Sequence, residues 1–222
     1  MPTPTILGHG LSLTSLPNYD LHALDALLAL YAEIGCTHLE VSAWRLDMIV
    51  GGRIIERRAE EVASILSRHD LGLVLHANHG INFMDIPNYK MHQKVAKANI
   101  NLARRMGVKS VVIHSGWVPT DVWLISRDKL LTAEQEALKW LSDLAAEADT
   151  RLAVENLFAD PSCKKVYYGS DPRALADQIA TVNHPALGAC LDFGHAFISS
   201  KVRNFDFISA IAELSEQTWN SH

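Results

Sequence analysis

Apolar and polar positions along this chain form two alternating kinds of segment. Short apolar runs with the length of a buried strand are followed by longer stretches with helical spacing. Residues 5–7 are a short apolar start that leads into the loop GHGLSLTSLPNYD. There Asp20 is placed to cap a helix carrying Leu24, Leu27, Leu28 and Tyr31, which closes at Gly35. The stretch CTHLEVSA is the next strand and carries Glu40, while WRLDMIVGGRII reads as loop around Gly51 and Gly52. Residues 57–69 have helical spacing at Val62, Ile65 and Leu66. LGLVLHA is a strand ending at His76, and a helix over residues 89–106 stops at Gly107.

The second half repeats the scheme. VKSVVIHSG is a strand ending at His114. A long loop with Trp117, Pro119 and Trp123 leads to Thr132, which forms a capping-box pattern with Gln135 ahead of a helix bearing Leu138, Leu141, Leu144 and Ala145. RLAVENLF is a strand with Glu155 near its end, and Asp171 followed by Pro172 opens another helix. LGACLDFGHAF, residues 187–197, begins as a strand buried on both faces and breaks into a loop at Asp192, just before His195. A helix follows over residues 205–214, and residues 217–222 begin a seventh strand.

The segments YAEIGCTHLEV and LARRMGVKSVVI repeat one another as helix end, glycine cap and strand. The alternation recurs roughly every 30 to 40 residues, the length of one right-handed βαβ unit. With no linker or composition break, residues 1–222 read as a single domain. Two α/β architectures fit, an open doubly wound sheet and a (β/α)8 barrel. GHGLSL is not a G-x-G-x-x-G turn, so dinucleotide binding has little support. Glu40, His76, His114, Glu155, Asp192 with His195, and His222 all fall at strand ends. A barrel makes such ends converge on one cavity, whereas an open sheet scatters them along an edge, so the barrel is the predicted fold.

Composition narrows the partners. The 222 residues are 48% hydrophobic and 20% charged, with a net charge of −5, which leaves no electrostatic footprint for nucleic acid. Cys36, Cys163 and Cys190 lack C-x-x-C spacing and are expected to be reduced thiols. The first residues lack the basic and apolar regions of a signal peptide, and no apolar run has the length of a membrane span. A cytoplasmic location is expected. Histidines and carboxylates gathered in one cavity are costly to desolvate without a partner, and a divalent cation is the natural one. Mixed imidazole and carboxylate donors suit Zn(II), Mn(II), Fe(II) or Co(II), where an all-oxygen set suits Mg(II) or Ca(II). Trp44, Trp117 and Phe193 are placed to pack against the apolar face of a substrate.

The ordered series is His76 in LHANHGINF, His114 in VIHSG, Glu155 in VENL, Asp192 and His195 in LDFGH, and the final His222. It resembles the xylose isomerase-like barrel superfamily over essentially the whole chain. That superfamily holds sugar and sugar-phosphate isomerases and epimerases as well as the endonuclease IV type of abasic-site nuclease. In the first branch the resemblance implies that Glu155, Asp192 and His222 hold a divalent metal (Mn, Co, Zn or Mg) together with a glutamate from an eighth strand. Glu155 is then also one of two catalytic acid/bases in a reaction through a cis-enediolate, and His195 meets a sugar or sugar phosphate. Glu40, on the second strand, is read from its position as a structural or substrate-orienting residue, or else as the second acid/base. In the second branch, His76, His114 and Glu155 would bind one zinc, Glu155, Asp192 and His222 a second, and His195 a third, in a phosphodiesterase for abasic DNA. The series stops at His222, so the barrel is expected to be truncated within its seventh strand. A third expectation is therefore a non-catalytic incomplete barrel. A homodimer is the expected assembly.

Overall fold

The computed structural model describes residues 6–13 and 21–222, so the cap expected from Asp20 lies outside the described residues. Its main sheet has seven parallel strands in chain order: β1 (Gly10–Ser12), β2 (His38–Ser42), β3 (Gly72–His76), β4 (Ser110–His114), β5 (Arg151–Glu155), β6 (Leu187–Leu191) and β7 (Thr218–Ser221). Among the described residues, seven α-helices flank the strands: α1 (Leu21–Glu33), α2 (Glu56–Leu66), α3 (Tyr89–Met106), α4 (Thr120–Glu147), α5 (Pro172–Val182), α6 (Phe193–Arg203) and α7 (Phe207–Ser215). Chain-order neighbours that are all parallel are the topology of a (β/α) barrel. Among the described residues, no helix is long and apolar enough to cross a membrane.

Alternation along each strand builds two layers. One set of side chains, including Val111, Ile113, Leu152, Val154, Ala189 and Leu191, packs outward on Leu138, Leu141, Leu175, Ile179 and Leu214 of the helices. The intervening residues Val112, Ala153 and Cys190, with Val74 beside them, form a small separate cluster on the inner face. The sheet curls until distant strands meet across that interior. Ser110 of β4 donates to Asn220 of β7 at 2.6 Å, and the His222 ring that follows β7 lies 2.6 Å from Glu40 of β2.

Four local expectations are corrected. The first described strand is Gly10–Ser12, inside the stretch expected to be loop, while Ile6 and Leu7 are exposed. Gly10 pairs with His38, and a Cβ there would lie 1.9 Å from the His38 carbonyl oxygen, an approach only glycine permits. The presumed loop around Gly51 and Gly52 is an antiparallel hairpin of Ile49–Val50 with Arg53–Ile54. Its two central glycines have φ of 56° and 71°, the positive values a two-residue hairpin turn requires. Thr132 caps nothing. Helix α4 is broken by a kink at Ser126 (φ −130°, ψ 17°), and Thr132 sits inside the helical segment after the kink, donating to the Asp128 carbonyl at 2.9 Å. Finally, the chain after Asp192 is helix rather than loop, because the Asp192 side chain accepts from the His195 backbone N–H at 2.6 Å and caps α6.

Candidate active site

The inner face becomes polar one step beyond its apolar floor. Two residues past Val74, Val112, Ala153, Cys190 and Asn220 stand His76, His114, Glu155, Asp192 and His222, on the same face by the strand period. Glu155 is the centre and is only 3% exposed. His76 Nε2 donates to its Oε2 at 3.1 Å, and His114 Nε2 lies 3.4 Å from that oxygen. On the other side, Oε1 is 3.3 Å from His222 Nδ1 and 3.5 Å from His195 Nδ1. The second nitrogen of His222 faces Glu40, so this imidazole bridges two carboxylates.

Backbone carbonyls orient two of the rings. His76 Nδ1–H donates to the Ala77 carbonyl and His195 Nδ1–H to the Asn156 carbonyl, both at 3.0 Å. The first bond leaves His76 Nε2 facing Glu155, whereas His195 keeps Nδ1 itself 3.4 Å from Asp192 and 3.5 Å from Glu155. Asn156, fully buried, holds Asp192 from both ends: its Nδ2 donates to the Asp192 carbonyl at 2.9 Å, and its Oδ1 accepts from the Asp192 N–H at 2.8 Å.

Burial would raise the Glu155 carboxyl, but hydrogen bonds from His222 and His76 outweigh it and hold the group well below the usual carboxylate range. Burial opposes charge on His222 too, yet its bonds with Cys190, Glu155 and Glu40 push the imidazole well above its ordinary value. Glu40 is likewise lowered by His222 against the opposing effect of burial. Burial drives His114 down to about 3 and His79 down to about 4, so both rings are neutral at neutral pH. The cavity therefore has two ionised carboxylates, Glu155 and Glu40, beside a His222 ring held towards its charged form and the neutral rings of His79 and His114.

His76, His114, Glu155, Asp192, His195, His222 and Glu40 thus meet in one place, as their positions at strand ends suggested. Trp117 stands at the far end of a row of rings. Its centroid is 5.9 Å from Tyr167, Tyr167 is 6.1 Å from Phe158, and Phe158 is 5.3 Å from His195. Three residues at or behind the site were missed. His79, whose only sequence signal is the His-x-x-His spacing with His76, packs its ring 4.6 Å from both His76 and His114. Asn156 gives no sequence signal beyond following Glu155. Glu134 of α4 lies behind the site, wholly buried, where Oε1 accepts from Gly116 N–H at 3.0 Å and from the Tyr168 hydroxyl at 3.3 Å. Among the described residues its Oε2 has no hydrogen-bond partner, and burial pushes this carboxyl up to about 7. Glu134 anchors the loop that follows His114.

One donor atom from each of Glu155, Asp192 and His222 lies within 4.8 Å of the others. Two carboxylates and an imidazole at that spacing fit a divalent cation, with Mn(II), Co(II) and Zn(II) the best match to mixed oxygen and nitrogen donors. The alignment of Glu40 on His222 Nε2 is the carboxylate–histidine arrangement that typically orients a metal-binding ring.

No curated protein matches the chain. Solved structures do, at 97% coverage of this chain. A putative xylose isomerase from Rhodospirillum rubrum aligns with a TM-score of 0.78 at 16% identity over 76% of its length. A D-tagatose 3-epimerase-like protein gives 0.74 at 16% over 75%. D-psicose 3-epimerase from Clostridium cellulolyticum, solved with D-tagatose, gives 0.74 at 14% over 72%. At these identities the likeness establishes the fold. The model of the xylose isomerase-like TIM barrel matches residues 28–215, and the chain belongs to that family.

Proposed function

We propose that this protein is a divalent-metal-dependent isomerase or epimerase of a sugar or sugar phosphate. The observation that carries the reading is the convergence of Glu155, Asp192 and His222, with Glu155 held ionised. When bound there, a divalent cation would polarise a substrate carbonyl and lower the cost of removing the neighbouring proton. Glu155 accepts that proton, since a buried, ionised carboxylate next to the substrate is available as a base at neutral pH. Asn156 fixes Asp192 through its backbone, and Glu40 holds the Nε2–H of His222, so that Nδ1 is turned towards Glu155. His195 keeps its Nδ1 proton on the Asn156 carbonyl and offers Nε2 to a substrate hydroxyl. The Phe158, Tyr167 and Trp117 row beyond His195 provides an apolar wall for the sugar ring. The structures similar to this chain include proteins named as ketose 3-epimerases, which supports a ketose as substrate class.

The test is hydrogen exchange on carbon. Protein loaded with Mn(II) or Co(II) is incubated in D2O with a panel of ketoses and ketose phosphates, and deuterium next to the carbonyl is followed by NMR. Exchange with at least one substrate, abolished in Glu155→Gln, is expected. Absence of exchange across the panel refutes the proposal.

A further inference from the structure

The outer wall of the barrel carries a groove that shares no residue with the site described above. Its cavity, about 720 Å³, lies between the hairpin of residues 49–54 and helix α3, and Glu56 at the start of α2 borders it. Helix α3 runs from the end of β3 back to the start of β4, so its second half lies towards the end of the barrel opposite Glu155. Over 18 residues this helix carries Lys90, Lys94, Lys97, Arg104 and Arg105 and no carboxylate, in a chain whose net charge is −5.

Helical spacing gathers the charges. Lys94, Lys97, Asn101 and Arg104 fall on one stripe of α3, and all four are exposed along the groove. At a rise of about 1.5 Å per residue, the stripe spreads three cations over roughly 15 Å. The hairpin closes down on one end of it. Gly52 has φ 71°, and a Cβ there would lie 2.8 Å from Lys94 Cγ, so the glycine turn lets the backbone rest against the Lys94 stem. Elsewhere the chain pairs its cations: Arg57 with Glu61, Arg68 with Asp25, Lys109 with Asp149 and Arg173 with Asp171. In the groove Arg105 pairs with Glu56, the one carboxylate in the lining, whereas Lys94, Lys97 and Arg104 have no ion pair among the described residues. Like charges left side by side on a helix repel one another, and an anion laid along them removes that cost.

We propose that this groove binds a small polyphosphate, whose successive phosphates lie along Lys94, Lys97 and Arg104. Lysine and arginine are the side chains best suited to phosphate oxygens, and the length of the stripe calls for several charges in a row. A single phosphate or a compact tricarboxylate reaches only part of it. The volume falls within the range of roughly 300–1,000 Å³ usual for small-ligand sites. No aromatic side chain lines the groove, whereas single-stranded nucleic acid is held by bases stacked on such rings. The site does not rest on the isomerase reading.

The test is calorimetric titration of the metal-free full chain at low ionic strength with sodium tripolyphosphate, ATP, orthophosphate and citrate. Tripolyphosphate should bind about tenfold or more tighter than orthophosphate or citrate, and added NaCl should weaken it. Lys97→Gln and Arg104→Gln should each weaken tripolyphosphate by about tenfold, and the double variant should abolish binding. Lys139→Gln, on the exposed face of α4, should change nothing. ATP equal to tripolyphosphate identifies the phosphate chain as the ligand, and tighter ATP adds a contact to the nucleoside; both support the proposal. Tripolyphosphate no tighter than orthophosphate or citrate overturns it, as does binding that survives in the double variant. Tighter binding of a single-stranded oligonucleotide or of polyglutamate, lost in the same variants, also overturns it in favour of a macromolecular partner.

Discussion

Glu134 offers a quantitative test of how the barrel tolerates a carboxyl behind its site. The group is fully buried, accepts two hydrogen bonds on Oε1 and has none on Oε2, and its folded value is pushed up to about 7 from 4.5. A folded pKa above the unfolded one means that the native state prefers the neutral acid. Below pH 4.5 the carboxyl is protonated in both states and makes no pH-dependent contribution. As pH rises from 4.5 to 7 the unfolded chain ionises first, so stability falls by about 1.4 kcal/mol per pH unit, and the loss levels off above pH 7. The full loss is roughly 3 kcal/mol. Glu134→Gln keeps an oxygen for the Gly116 N–H and the Tyr168 hydroxyl but does not titrate. The variant should match the wild type near pH 4 and exceed it by roughly 3 kcal/mol at pH 8, measured as the difference between paired urea melts. Parallel stability profiles for the two proteins across this range would refute the assignment of a raised, buried carboxyl.

Two further outcomes are expected. Asn156→Ala removes both bonds to the Asp192 backbone and leaves its buried amide without a partner, which should cost about 1–3 kcal/mol in urea melts. The loosened Asp192 should also weaken Mn(II) binding by about tenfold or more, and unchanged affinity would show that Asn156 does not position this carboxylate. Gly10→Ala places a methyl group against the His38 carbonyl and should detach β1. Fast amide exchange at Thr37 and His38, whose N–H groups donate to the His9 carbonyl at 2.9 and 3.1 Å, is the sign to look for; retained protection at both would contradict it.

The alternation of strand and helix was legible because parallel strands buried on both faces write themselves as apolar runs such as LGACL and SVVIH. The polar residue ending each run was equally plain, so His76, His114, Glu155, Asp192 and His222 could be named as one constellation before any contact was known. Their shared face follows because the period of a strand assigns every second residue to one face, whatever lies far away in sequence. The sequence could not decide what depends on approach through space. Gly10 marks β1 only because the His38 carbonyl presses against it, and Thr132 lies inside a helical segment already under way after the kink at Ser126. His79 belongs to the site because the rings of His76 and His114 stand 4.6 Å away, and Asn156 because Asp192 folds back onto it from the next strand. The curl of the sheet decided the partners. It carries His222 to Glu40 across 182 residues of chain and makes Glu155 the shared neighbour of four imidazoles.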